Sequence, residues 1–422
     1  MLHLELLKTY KRKGEWVFPD YKKYCLSSVP WTVANIFGQK TNRPTIPLKY
    51  KSDKVIFFLF DGFGFNQWKN FRHPVKTAFE EAGDVFPITT VYPSSTAAAM
   101  TTLHTGLTPQ EHGLLEWYVY FREIDMILMT LPFASEFEPQ RFKKIKADPK
   151  ILLDSETFYQ KLKRNGINVY MFKPEGITKG AYSDLAFKGA NIIGYESVRD
   201  LFRKLRKQVI KKEKAYYFVY CPDIDTSSHV TGPFSRMTRR RKKYIFNKLR
   251  SFFVDVNKKI GKNTTVLISA DHGQIKPERL RPVYLNGIDW FENSLEKSPA
   301  GRIIEPYGLP RDMFIQVKKE KLVEVKENIK KIGFDVIDIN EFIKKGLFGL
   351  NKPSKRFIDR AGNLLVIPRK NGMVWYKHSK KENVRFRGIH GGLTEDEMII
   401  PFSVGNLEKL SRKLNEGKRA YL

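Results

Sequence analysis

Six short apolar runs constrain what this chain can become: "KVIFFLF" at 54–60, "FPITTVY" at 86–92, "INVYMF" at 167–172, "AYYFVY" at 215–220, "TTVLISA" at 264–270 and "MIIPFSV" at 398–404. Each is strand length, and most are apolar without alternation, the pattern of a strand buried on both faces. Longer amphipathic or charged segments separate them and read as helices. This order predicts an α/β fold in which a mostly parallel central sheet is flanked by helices on both faces. Residues 306–385 differ in character: "RDMFIQV", the charged run "KEKLVEVKENIKKIG", "NEFIKKGLFG" and strand pairs around "GNLLVIPRKNGMVWY" predict a smaller α+β insertion or cap. The expected division is an N-terminal extension over 1–50 packed on the core, a core over 51–305 and 386–422, and the insertion over 306–385.

In such folds the functional crevice lies outside the carboxyl ends of the strands, so the polar residues that follow each run carry the interest. Asp61 follows the first run in "DGFGFNQW", Asp225 and His229 follow the fourth in "CPDIDTSSHVTGP", Asp271 and His272 follow the fifth in "ADHGQ", and His390 precedes the last in "RGIHGGLTEDEM". Alone, each has an ordinary structural explanation: Asp61 can cap a helix and His229 can satisfy a loop. Together they place three imidazoles and three carboxylates on one edge of the predicted sheet. Those donors suit borderline divalent metals, and six of them suffice for two sites roughly 4 Å apart, an arrangement that clamps the attacking and leaving oxygens in phosphoryl transfer. Asp223 is a rival for Asp225, but only Asp225 stands four residues from His229.

The stretch "ITTVYPSSTAAAMTTLHTG" at 88–106 ends a strand at Pro93 and offers hydroxyl caps at Ser94 to Thr96, a helix-forming run from Ala97 to Leu103, and Gly106 as a stop. Thr96 is thereby expected at a helix N-terminus, where unpaired N–H groups favour an anion. As an ordinary cap it does nothing further; beside metals its hydroxyl becomes a nucleophile. His104 is expected inside that helix and His112 beyond its end, both structural, while His73 and His378 have no supporting context.

Two cysteines, Cys25 and Cys221, form no CxxC pair, so a metal here takes oxygen and nitrogen ligands. They also fit a reducing compartment, and the expected location is cytoplasmic. The N-terminal "MLHLELLKTYKRKGEW" does not read as a signal peptide, and no apolar stretch approaches the roughly 20 residues of a membrane span. Lysine and arginine number 75 against 45 acidic residues, a net charge of +30. The densest run, "RRRKK" at 239–243, falls in a helix predicted from Ser235 to about Ile260, as a solvated face or as an anion or nucleic-acid contact.

The set "FDGFG", "YPSSTAAAMTTLHTGLTPQEHG", "DIDTSSHVTGP", "SADHGQ" and "HGGLTEDEMIIP" resembles the type I phosphodiesterase/nucleotide pyrophosphatase family of the alkaline phosphatase superfamily, in the family's order across most of the chain. The resemblance implies a two-metal phosphodiesterase or nucleotide pyrophosphatase. It places Asp61, Thr96, Asp271 and His272 around one metal, with Thr96 as nucleophile, and Asp225, His229 and His390 around the other. The metals it implies are two divalent ions, zinc before manganese, and the reaction runs through a covalent phosphothreonine-type intermediate. The expected partner is a small anionic phosphodiester or nucleotide. Other readings are a phosphomonoesterase or phosphomutase of the same superfamily, and a non-catalytic basic protein that binds nucleic acid. One departure is Ala99, where eukaryotic-type members usually carry an asparagine that contacts phosphate; Thr101, Thr102 or a lysine of the insertion would be substitutes. Lys377, Arg385 and Arg387 are expected on the leaving-group side.

Overall fold

The apolar runs find one another because extended backbone buried on both faces must pair its N–H and C=O groups with neighbouring strands. The computed structural model describes residues 1–379 and 382–419; residues 380–381 of the insertion and 420–422 of the core lie outside that description. Among the described residues, thirteen strands of three or more residues form two sheets. In chain order they are β1 (Lys54–Phe60), β2 (Asp84–Thr89), β3 (Tyr118–Phe121), β4 (Met126–Met129), β5 (Asn168–Pro174), β6 (Asn191–Tyr195), β7 (Ala215–Cys221) and β8 (Thr264–Ser269). Then follow β9 (Tyr307–Leu309), β10 (Asp312–Ile315), β11 (Phe334–Asp338), β12 (Leu364–Pro368) and β13 (Ile399–Asn406).

The main sheet has the order β2-β13-β8-β1-β7-β5-β6. Strands β8, β1, β7, β5 and β6 are mutually parallel, and β13 runs against both of its neighbours. Alternate side chains of β1 serve opposite faces. Phe57 meets Phe218 edge to face, and Phe218 in turn lies 5.4 Å from His104 of the helix α1 (Thr96–Thr105). Phe58 points the other way, onto Phe252 and Phe253. Past the short helix α2 (Asp223–Thr231), those two phenylalanines belong to α3 (Arg236–Ile260), whose first turn is capped by Ser235 accepting from the Thr238 N–H. The sheet is therefore covered on both faces, as expected for a parallel sheet without alternation.

All neighbours in the second sheet, β11-β12-β10-β9-β3-β4, are antiparallel. Its hairpin β3–β4 lies inside the range 51–305 read as core, so the chain enters this sheet twice, through the pairing of Tyr118 with Gly308. An isolated sequence carries no record of which distant edge a hairpin will join. A buried ion pair ties the two sheets: Arg311, at the turn between β9 and β10, donates Nε and Nη2 to both oxygens of Glu397, two residues before β13, at 2.9 and 2.8 Å. Such forked pairing satisfies both charges where water cannot reach.

Candidate metal centre and nucleophile

Each predicted donor sits where a strand of the main sheet ends or just before one begins. Asp61 leaves β1 in a turn made by Gly62, whose φ is +68°. A β-carbon at 62 would stand 2.9 Å from Asp225 Oδ1, so the turn needs glycine both for its backbone and for the close approach of α2. Asp271 and His272 follow β8. The N–H groups of Gly62 and His272 both donate to Asp271 Oδ1, at 3.1 and 2.9 Å. Asp225 and His229 occupy successive turns of α2, with Oδ2 to Nε2 at 3.2 Å. His390 stacks on His272 with ring centroids 3.6 Å apart. Thr96 is the first residue of α1, half-buried, with Oγ1 3.1 Å from His272 Nε2.

The three imidazoles share one device. His229 Nδ1 donates to the Gly388 carbonyl at 2.8 Å, His272 Nδ1 to Gly273 at 3.0 Å and His390 Nδ1 to Ser94 at 3.1 Å. Each ring is thereby fixed in orientation and tautomer, with Nε2 turned inward, the arrangement that tunes imidazole as a metal ligand. Two triads have ligand atoms within 4.8 Å of one another: Asp61, Asp271 and His272, and Asp225, His272 and His390. His272 thus lies within reach of both, whereas the resemblance allots it to the first alone, and His229 stands against Asp225.

The site's charge is unbalanced. Asp61 Oδ1 and Asp271 Oδ2 are buried and accept no hydrogen bond. Burial, then Asp271 and Asp225, push the Asp61 carboxyl well above its usual range. Burial also acts to raise Asp225, but His229, His390 and His272 outweigh it and hold that carboxyl low, while Asp225 in return raises His229. Burial, then the neighbouring His272, push the His390 pKa well below its usual value. Partnerless buried carboxylate oxygens beside inward-facing, oriented imidazole nitrogens form a donor set that fits divalent cations, whose charge would compensate a costly cluster.

The remaining predicted residues fall elsewhere. Asp223 is held by Arg241 and accepts from the Cys221 thiol, apart from the cluster. His112 bonds Thr102 Oγ1 and the Leu114 N–H, and burial pushes its pKa down to about 3. His104 bonds the Tyr159 hydroxyl, His73 caps a helix through the Val75 N–H, and His378 pairs with Glu305. Ala99 belongs to the apolar core, and Thr101 and Thr102 are engaged by Tyr182 and His112, so neither threonine replaces an asparagine contact. Lys377 lies over the Tyr284 ring, and Arg385 and Arg387 are exposed.

Two supporting residues escaped the sequence reading. Tyr220, the last residue but one of β7, donates its hydroxyl to Asp61 Oδ2 at 2.6 Å, and Gln274 donates its amide to Asp225 Oδ1. Position at a strand end and membership of "DHGQ" are the signals that point to them. Thr96, Trp117 and Asp225 line two hollows at once, one of about 510 Å³ reaching Lys173 and Phe187, the other of about 370 Å³ reaching Phe386 and Leu309.

Comparison with known proteins places these residues in context. The family described as type I phosphodiesterase / nucleotide pyrophosphatase matches residues 55–393. Ectonucleotide pyrophosphatase/phosphodiesterase family member 3 of Rattus norvegicus is 23% identical over 299 residues, 69% of this chain and 32% of its own length. The chain thus spans about a third of the length of that curated relative. Murine ectonucleotide pyrophosphatase/phosphodiesterase 5, solved as an inactive variant in complex with AMP, superposes with a TM-score of 0.63 at 16% identity, covering 86% of this chain and 95% of its own. The human protein of the same name gives 0.61 at 17% identity, over 87% and 95%. These structural likenesses establish the alkaline-phosphatase-like fold.

Proposed function

Because the chain belongs to the type I phosphodiesterase/nucleotide pyrophosphatase family, we propose that it hydrolyses a phosphodiester or pyrophosphate bond of a nucleotide-like substrate, with Thr96 as nucleophile. The observation that carries this reading is the position of Thr96 in the shared wall of two hollows, beside the Asp–His cluster. A diester has two substituents to house, and a monoester needs only one hollow. The murine relative's complex with AMP supports a nucleotide in the same kind of fold.

Asp61, Asp271 and His272 would hold one divalent ion and Asp225, His229 and His390 a second, zinc before manganese for so much imidazole, and such ions supply positive charge to phosphoryl oxygens and acidify hydroxyl groups. The chain does the rest. The first turn of α1 leaves N–H groups without intrahelical partners, and these would donate to a nonbridging oxygen of a phosphate bound at Thr96. Thr96 Oγ1 gives up its proton, which the departing oxygen takes up, and forms the bond to phosphorus as the bond to that oxygen breaks in line; water then attacks phosphorus, leaving its oxygen on the product phosphate, and one of its protons restores the Thr96 hydroxyl. The Nδ1 bonds of the three histidines keep the donor set from reorganising during the reaction. We propose that the second sheet caps the smaller hollow through Leu309 and its neighbours. A cytoplasmic location belongs to the same proposal, resting on two buried, unpaired thiols, and cell fractionation tests it.

The test is metal content together with hydrolysis of bis-p-nitrophenyl phosphate against p-nitrophenyl phosphate. The expected result is about two metals per chain, preference for the diester, and loss of about a thousandfold or more in Thr96→Ala with the metals retained. Preference for the monoester moves the reading to a phosphatase of the same superfamily. An unchanged Thr96→Ala removes the nucleophile.

A further inference from the structure

Lys173 is the one lysine in the wall of the larger hollow that lies more than nine-tenths buried, at 5% exposure, at the carboxyl end of β5. Its Nζ donates to Ser183 Oγ at 3.0 Å and lies 4.1 Å from the centre of the Phe187 ring. Among the described residues no carboxylate lies within ion-pair distance of it. Burial is the sole cause of its lowered pKa, about 8, so at neutral pH it is mostly charged. A buried ammonium with no counter-ion is a cost that folding does not require, because methionine would fill the same space. Its neighbours in the hollow include Met100, Leu131 and Met171, and Lys179 stands exposed on the rim. In the sheet β5 is two strands from β1, the strand that Asp61 follows, a lateral separation of about 10 Å between those two backbones at a strand spacing of ~4.8 Å.

We infer that Lys173 is the receptor for a second negative charge on the substrate: the chain acts on phosphodiesters of which one half carries its own carboxylate or phosphate, seated in the larger hollow with that anion on Lys173 and the scissile phosphorus at Thr96. The inference rests on the phosphodiesterase reading and narrows it. The apolar walls seat the uncharged part of that half, and the anion supplies the counter-charge that the fold omits. Ser183 and Phe187 fix the ammonium in place before the substrate arrives, so little ordering is needed on binding.

The experiment uses the metal-loaded chain and a matched pair of p-nitrophenyl phosphodiesters, of 6-hydroxyhexanoate and of 6-hydroxyhexanamide, with bis-p-nitrophenyl phosphate as the common control. The native chain is expected to favour the acid over the amide by about tenfold in kcat/KM. In Lys173→Met that preference falls to about twofold or less, and the thermal midpoint does not drop, since an uncompensated cation has been removed. Lys173→Gln carries the same comparison should the methionine variant fail to fold. Equal rates on acid and amide in the native chain, or a preference that survives in Lys173→Met, overturn the inference while leaving diester hydrolysis standing. Absence of hydrolysis of all three, the control included, overturns the phosphodiesterase reading itself and this inference with it.

Discussion

The Tyr220 hydroxyl holds Asp61 Oδ2 at 2.6 Å while Oδ1 remains without a partner, so one hydrogen bond decides which oxygen is presented to the site. Tyr220→Phe keeps the ring and loses that restraint; we expect metal affinity, measured by competition with a chelator, to fall about 10- to 100-fold. A second residue-scale case lies behind Thr96. Glu116 Oε1 and both oxygens of Asp312 are buried without a hydrogen-bond partner, and two facing carboxylates can bond only if one holds a proton. Burial first, and for Asp312 also Glu116, raises both. An acid whose folded pKa is raised binds more protons folded than unfolded, so its contribution to stability is present at low pH and is lost as pH rises above the ordinary carboxylate range. Glu116→Gln is expected to flatten that decline, as read from urea unfolding at about pH 5 and about pH 8.

Elements place these residues through close approach. The turn from β1 brings Gly62 against Asp225 of α2, and Gly62→Ala would press a methyl group on Asp225 Oδ1 in a backbone that side chains resist. The expected outcome is a fold that survives with about one metal per chain instead of two, measured by elemental analysis. Between the sheets, Arg311→Met would leave Glu397 buried and unpaired, a loss of about 3–5 kcal/mol in urea unfolding. The apolar runs at 54–60, 215–220 and 264–270 coincide with β1, most of β7 and the whole of β8, because continuous burial leaves a continuous apolar trace. Strand β6 was missed for the opposite reason: at the sheet edge, its first residues are exposed and its sequence carries no such trace. The basic run at 239–243 falls in α3 as expected but does not share one fate. Arg239, Arg240 and Lys243 are exposed, Arg241 binds Asp223, and Lys242 is buried on Gln67.

At the scale of the whole molecule, the chain carries a net charge of +30 and the proposed substrate is an anion. Long-range attraction of this kind is screened within about 10 Å at 0.1 M salt, so kcat/KM for a charged diester is expected to fall as ionic strength rises, with kcat held; a flat profile removes steering from the account. By itself the sequence determined the parallel α/β sheet, the helix that begins at Thr96, and the donors at the strand ends, because strand burial, helix capping and motif spacing are local properties written in consecutive residues. Only the tertiary structure decided that His272 reaches both triads, that Asp223 goes to Arg241 and Asp225 to the cluster, that the hairpin β3–β4 joins a sheet built mostly from residues beyond 306, and that Lys173 is left without a counter-ion among the described residues. Those outcomes depend on which distant side chains share a buried space and which charges meet there, and packing across the fold, not spacing along the chain, sets both.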